Sequence, residues 1–279
     1  MSDSLVSLVV ALADDELILG HRHSEWTGFA PHIEEDVAFS SIAQDEIGHA
    51  AALYSFVGRL TGEDPDRLAL GRAKDEYRNA ILCERHNGDW AFSLARHWLY
   101  DNADDIRLET LADTSSDELR ALVGKVRREE RYHLIHANTW MRRVAHGPVE
   151  GHTRLVDAVG QALPEALDVF EPIELEDEAV KEGWLPSPFE VLRSRFMERT
   201  ADALDELDIP AEISSRVDTG EFVASSSGDL IVDEEPAAAA EPLVGRISPG
   251  GRRGLHTDDF DQLWDDLTYT YRTNPGASW

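Results

Sequence analysis

A chain of 279 residues with 42% hydrophobic side chains is long enough to bury a real core and too apolar to stay disordered. Its formal net charge of −29, from 55 acidic against 26 basic side chains, argues against nucleic acid, because phosphate backbones select basic surfaces. No apolar run approaches the ~20 residues of a membrane span, so no membrane is expected as a partner either.

Helical periodicity runs from the start to about residue 170, and strand-like alternation is nowhere sustained. The first helix is predicted from Asp3 or Ser4 to about Thr27, ending near Gly28 with Pro31 behind it. Leu17, Ile18, His21 and Glu25 share a broad stripe there, which turns Glu25 inward. The second helix, about Ile33 to Thr61, carries Phe39, Ile42, Glu46, His49 and Phe56 on its apolar side and stops at Gly62. A helical piece follows over Lys74 to Glu84. Asn87-Gly88-Asp89 then breaks the pattern, with Asp89 as N-cap of a third helix from Trp90 to about Ala112, on which Leu94, Trp98 and Asp101 share a face.

The fourth helix starts at Ser115-Ser116-Asp117-Glu118 and carries Val123, Val126, Glu130, His133 and Ala137 to about Val144. A further helix, Glu150 to Phe170, is expected to pack outside these four. Beyond Glu171-Pro172 come an acidic loop (174–182), an amphipathic helix over Pro186 to Leu207, and a last helix ending near Tyr271. The expected organisation is a bundle over 1–172, an accessory loop and helix over 173–213, a flexible acidic low-complexity insertion over 214–249, and a C-terminal segment over 250–279 that packs on the bundle or on a partner.

Two stretches carry chemistry: Asp45-Glu46-Ile47-Gly48-His49 and Glu129-Glu130-Arg131-Tyr132-His133. Residues three apart on a helix stand one above the other, so each Glu-x-x-His can present a carboxylate and an imidazole to one ion. Two such pairs, with one carboxylate from each of two further helices, make the di-iron site of ferritin-like four-helix bundles. Glu25 and Asp101 supply those carboxylates in the required chain order. The expected fold is therefore all-α, a ferritin-like bundle with extra C-terminal helices, and the expected metal ligands are Glu25, Glu46, His49, Asp101, Glu130 and His133. Manganese or zinc suits the same spacing. In the competing reading Glu46 and Glu130 pair with Arg or Lys and the histidines are ordinary core residues. His21, His23 and His97 are placed no closer than hydrogen bonding to the ligands. Gly48 is read as a small residue that lets a neighbouring helix approach, and Arg252-Arg253 as an anion or partner contact.

A single cysteine, Cys83, permits no intrachain disulfide, and the N-terminus lacks the basic start of a secretory signal, so a reducing cytoplasm is expected. The acid excess suits a halophilic, high-salt cytoplasm, where self-repulsion is screened.

Several segments also resemble a known family, the C subunits of the bacterial phenylacetyl-CoA epoxidase. They are Asp14-Asp15-Glu16-Leu17-Ile18-Leu19-Gly20-His21-Arg22 with Ser24-Glu25-Trp26, then Asn87-Gly88-Asp89-Trp90, Trp98-Leu99-Tyr100-Asp101 and Arg131-Tyr132-His133-Leu134. Gly250-Gly251-Arg252-Arg253-Gly254-Leu255-His256-Thr257, Tyr271-Arg272 and Pro275-Gly276-Ala277-Ser278-Trp279 continue the match. The resemblance implies a subunit of a multicomponent monooxygenase that epoxidises the ring of phenylacetyl-CoA, with electrons from a flavin and iron–sulfur reductase. It also implies a catalytic A-type subunit as partner, and a C subunit that is a metal-free structural companion. This chain departs from that pattern by keeping Glu46-x-x-His49 beside Glu130-x-x-His133, and by a His23-Ser24-Glu25 segment close to the catalytic subunit's first-ligand stretch. Either the subunit binds metal itself, or these residues persist as a polar core in a scaffold that stabilises the catalytic subunit.

Overall fold

Two long helix pairs enclose the core. The computed structural model describes residues 2–210, 250–274 and 277, and the insertion expected over 214–249 lies outside them, as do Pro275, Gly276, Ser278 and Trp279. Helix α1 (Asp3–Ser24) turns back through residues 25–32 into α2 (Ile33–Thr61), and the two pack along their length. After two short helices, α3 (Pro65–Leu70) and α4 (Ile81–Glu84), α5 (Trp90–Leu111) pairs with α6 (Asp117–Ala145) in the same way. Contacts between α2 and α6 help close the four into a ferritin-like bundle. Helices α7 (Val149–Ala166) and α9 (Phe189–Glu206) cover the outer side of α5, α8 (Glu176–Lys181), between them in the chain, packs against α1, and α10 (Asp258–Thr273) lies against α3 and α4. There is no strand among the described residues.

The caps sit where the side chains dictate. Asp89 accepts from Phe92 N at 2.9 Å and Ser116 from Leu119 N at 3.2 Å, each satisfying an orphan donor of a helix start. Gly62 ends α2 at φ 82, a left-handed conformation that costs glycine little. Helix α1 stops at Ser24, one turn short of the expected end, and residues 25–30 form turns. The helix expected over Lys74 to Glu84 is a 3₁₀ turn, an extended stretch and one turn of α4. The cause is tertiary: Arg78 N donates to Asp14 at 2.6 Å and Ala80 N to Asp15 at 2.7 Å, so α1 takes the amides a helix would use.

Helix α1 is buried on almost every side, as befits the central element of a bundle with an outer layer. Its acidic run Asp14-Asp15-Glu16 is fully inside, and successive residues step about 100° round the axis, so the three carboxylates face different neighbours. Asp14 binds Arg72 and the Tyr54 hydroxyl. Asp15 binds Arg107 at 2.5 Å and Arg252 at 2.7 Å. Glu16 faces the bundle axis. Arg252 thus finds its anion within the chain: its guanidinium is buried against Asp15 and donates to the carbonyls of Ala11, Arg78 and Val169. No helix of the described residues is long and apolar enough to cross a membrane.

Candidate metal centre

Glu16 of α1, His49 of α2 and Glu130 of α6 converge at the middle of the bundle, their ligand atoms all within 4.8 Å of one another. His49 Nδ1 lies 3.0 Å from Glu16 Oε2 and 3.2 Å from Glu130 Oε1. His133 Nδ1 comes within 3.1 Å of the same Glu130 oxygen, so both Glu-x-x-His imidazoles turn one nitrogen inward on a shared carboxylate. The outer nitrogens are held reciprocally. His49 Nε2 donates to Glu129 of α6 at 2.9 Å, and His133 Nε2 to Asp45 of α2 at 3.2 Å. Each acid stands immediately before the Glu-x-x-His of its own helix and reaches across to the imidazole of the other. Such outer partners fix ring orientation, and the inward nitrogen, which the carboxylates hold in this structure, is the one an ion would take.

Glu46 and Asp101 complete the ring of acids, both almost wholly buried. Glu46 accepts from His23 Nδ1 at 2.9 Å. Helix α2 comes this close because α1 has Gly20 opposite: a Cβ there would stand 3.1 Å from Glu46 Cβ and 3.0 Å from Ile47. Gly48, expected to serve that purpose, faces outward, where a Cβ meets no atom of the described residues within 4 Å.

Glu25 is the one expected ligand the structure keeps away. It follows the last residue of α1, its carboxylate pairs with Arg22 at 2.8 Å and accepts from Asn87 at 3.0 Å, and its side chain is 40% exposed. Glu16 stands in its place. Nine residues of helix separate them, about half a turn in projection, so the two cannot face the same side. Glu16 shares a stripe with Leu12, Leu19 and His23, all buried, but α1 is buried on nearly every side, so that stripe does not single it out in the sequence.

The field inside this pocket favours positive charge. Burial alone would depress His49, but the Glu130 and Glu16 carboxylates overcome it and push the ring up to about 12. Burial likewise works against His133, which Glu130, Asp101 and Glu46 raise to about 10. Glu46 and Asp101 are driven well above the usual carboxylate range, first by burial and then by their acidic neighbours. Glu130 goes the other way: the two imidazoles outweigh its burial.

These features fit a metal ion. Both oxygens of Asp101, Glu130 Oε1 and His133 Nδ1 are buried without a hydrogen-bond partner among the described residues. Orphaned buried acceptors cost about 1–3 kcal/mol each, more when charged, and an ion would satisfy them together. Four carboxylates and two imidazoles are the donor set of a non-haem di-metal centre. Lys or Arg pairing with Glu46 or Glu130, the competing reading, is absent among the described residues.

Comparison with known proteins adds the family. A family model described as phenylacetic acid catabolic protein matches residues 1–224. A curated relative, the C subunit of 1,2-phenylacetyl-CoA epoxidase from Escherichia coli (strain K12), is 28% identical over 279 residues, covering 99% of this chain and all of its own. Among solved structures, a Synechococcus protein with aldehyde deformylating oxidase activity superposes with a TM-score of 0.55 at 19% identity, over 78% of this chain and 97% of its own, a likeness of fold.

Proposed function

Because the chain belongs to the phenylacetic acid catabolic protein family, we propose that it is a subunit of a multicomponent phenylacetyl-CoA ring epoxidase, and that it holds two iron ions on Glu16, Glu46, His49, Asp101, Glu130 and His133. The observation that carries the metal part is the convergence of Glu16, His49 and Glu130 beside the orphaned Asp101 carboxylate. The relationship to an epoxidase subunit over the full length of both chains supports the rest.

When bound, a ferrous pair supplies dioxygen activation for ring epoxidation. The chain's own residues prepare the place. Glu129 and Asp45 fix the two imidazoles from outside, and the Tyr100 hydroxyl donates to Glu16 Oε1 at 2.9 Å. Leu12, Leu53, Leu108, Val123 and Val126 line, with Glu16 and Asp104, a cavity of about 10 Å³ beside the centre, space for about one water. Those apolar walls keep bulk water away from the ligands. The bundle over 1–172 is the unit that binds metal, and the segments beyond it serve packing or partners. Electrons come from a separate flavin and iron–sulfur reductase, an A-type subunit is the partner, phenylacetyl-CoA is the substrate of the complex, and the cytoplasm is its place.

The test is co-purification with the A-type subunit, followed by iron analysis and oxygen consumption with phenylacetyl-CoA. About two irons per chain are expected, lost together with turnover in His49→Ala. A complex that turns over fully while this chain carries no iron would make it a scaffold.

A further inference from the structure

His97 stands one turn before Asp101 on α5, fully buried, and neither of its ring nitrogens has a hydrogen-bond partner among the described residues. Its Nδ1 lies 3.3 Å from Asp101 Oδ1 without hydrogen-bond geometry, and both Asp101 oxygens are orphaned as well. Four buried polar atoms on two neighbouring side chains are thus unsatisfied in one spot. An imidazole and a carboxylate meant for each other would align N–H with oxygen and satisfy two of them. Two donors on one ion at bonds of about 2.1 Å, set at right angles, stand roughly 3 Å apart and need no such alignment. The spacing found is close to that.

Resting on the metal-centre reading above, we infer that His97 is itself a metal ligand, binding together with Asp101 and adding a third imidazole to those of the two Glu-x-x-His motifs. The surroundings agree. His23 packs edge-on against His97 with ring centroids 5.2 Å apart and donates to Glu46, so α1 braces both the new ligand and the neighbouring carboxylate. Phe39, at 5.4 Å, and His136, at 5.6 Å, close the other sides of the ring. His97 thereby makes α5 a two-ligand helix like α2 and α6, by an i, i+4 pair in place of i, i+3.

The experiment is an anaerobic cobalt(II) titration of the full chain, read by the visible absorption of the bound ion and by the paramagnetically shifted, exchangeable imidazole N–H resonances. Three such resonances are expected in the wild-type chain, from His49, His97 and His133. His97→Ala should lose one and bind its second cobalt at least about tenfold more weakly, with His97→Asn as a second variant that keeps a polar group in the core. Only two shifted resonances in the wild-type chain, or a His97→Ala chain that binds both ions with unchanged affinity and spectrum, overturns the assignment of His97 alone. A wild-type chain that takes up no cobalt, or a His49→Ala chain that takes up two, overturns the metal centre and the inference with it. If neither variant folds, the resonance count in the wild-type chain decides.

Discussion

His49 of α2 donates from Nε2 to Glu129 of α6 at 2.9 Å, and the gesture is returned by His133, whose Nε2 lies 3.2 Å from Asp45 of α2. The pattern that recurs on both helices is therefore one residue longer than Glu-x-x-His: an acid, then Glu-x-x-His, twice. The leading acids are 40% and 43% exposed, so they face water while the imidazoles they hold do not. Removing such an outer partner lowers metal affinity by roughly 10–100-fold. Glu129→Ala and Asp45→Ala should each show that loss in competition with a chromophoric chelator, with little change in melting temperature. Glu129→Gln and Asp45→Asn, which keep an acceptor and lose the charge, should fall between. Unchanged affinity in both alanine variants would mean that the crossed pairs are ordinary surface contacts.

Glu16 and Glu25 separate the structural reading of α1 from the periodicity reading. Glu16 is buried against His49 and Tyr100, whereas Glu25 is paired with Arg22 beyond the helix end. Glu16→Ala should abolish binding of at least one metal ion. Glu25→Ala should leave stoichiometry unchanged, and any loss of stability should trace to the buried Arg22 guanidinium that it leaves without a carboxylate. Metal analysis of the two variants side by side checks this, and the reverse pattern would restore Glu25.

Tyr100 tests the support of that carboxylate. Its hydroxyl donates to Glu16 and accepts from Arg107 at 3.1 Å, and Arg107 continues to Asp15 and Asp104. Tyr100→Phe removes two hydrogen bonds to charged groups, each worth about 1.5–3 kcal/mol. The expected outcome is weaker metal binding together with a shifted cobalt spectrum. A spectrum identical to wild type would show that Glu16 is positioned without it.

The bundle was readable because long amphipathic helices announce themselves: α2 was predicted at its observed bounds, and Asp89 and Ser116 cap where their side chains demand. The two Glu-x-x-His pairs were readable for the same reason, since their spacing is local. What escaped is long-range. Glu16 sits on a helix buried nearly all round, where no polar face marks which side meets the ligands. The segment before α4 has helical texture, yet Asp14 and Asp15 take its amides. Gly20 rather than Gly48 allows the close approach of α1 and α2, a matter of which face of each helix the partner occupies.

The charge balance predicts salt dependence. With a net charge of −29 the folded chain repels itself, and several acids gather at the starts of α8 and α10, where Glu176, Asp177 and Glu178, then Asp258, Asp259 and Asp261, follow one another. The Debye length shrinks from about 10 Å at 0.1 M to about 3 Å at 1 M, so potassium chloride should screen most of this repulsion. A gain of about 2 kcal/mol would appear as a rise of roughly 4–8 °C in melting temperature between 0.1 and 2 M. A melting temperature that falls over this range would remove the high-salt account of the composition.

Arg252 and Arg253 are neighbours in sequence with opposite structural fates, which makes them a matched pair. Arg252 is buried on Asp15 and ties the C-terminal segment to the middle of α1, while Arg253 keeps a 63% exposed side chain against Glu171. Burial pushes Asp15 up, but Arg252 and Arg107 together hold it below its ordinary value. A carboxylate depressed in the folded state contributes stability above its unfolded pKa of about 3.9, and that contribution is lost as pH falls through the folded value. Arg252→Ala leaves Asp15 with Arg107 alone, so the loss should begin at higher pH and the acid-unfolding midpoint should move up. Breaking a buried pair by removing one partner costs about 3–5 kcal/mol, and the surviving Arg107 places the expected value near the lower end. Arg253→Ala should stay within about 0.5 kcal/mol of wild type. Urea unfolding at neutral pH measures the first difference and an acid titration the second. Equal stability of the two variants would mean that the C-terminal segment is held by its apolar contacts, through the buried Phe260 and Leu263 of α10, and that the Asp15 pair contributes nothing net.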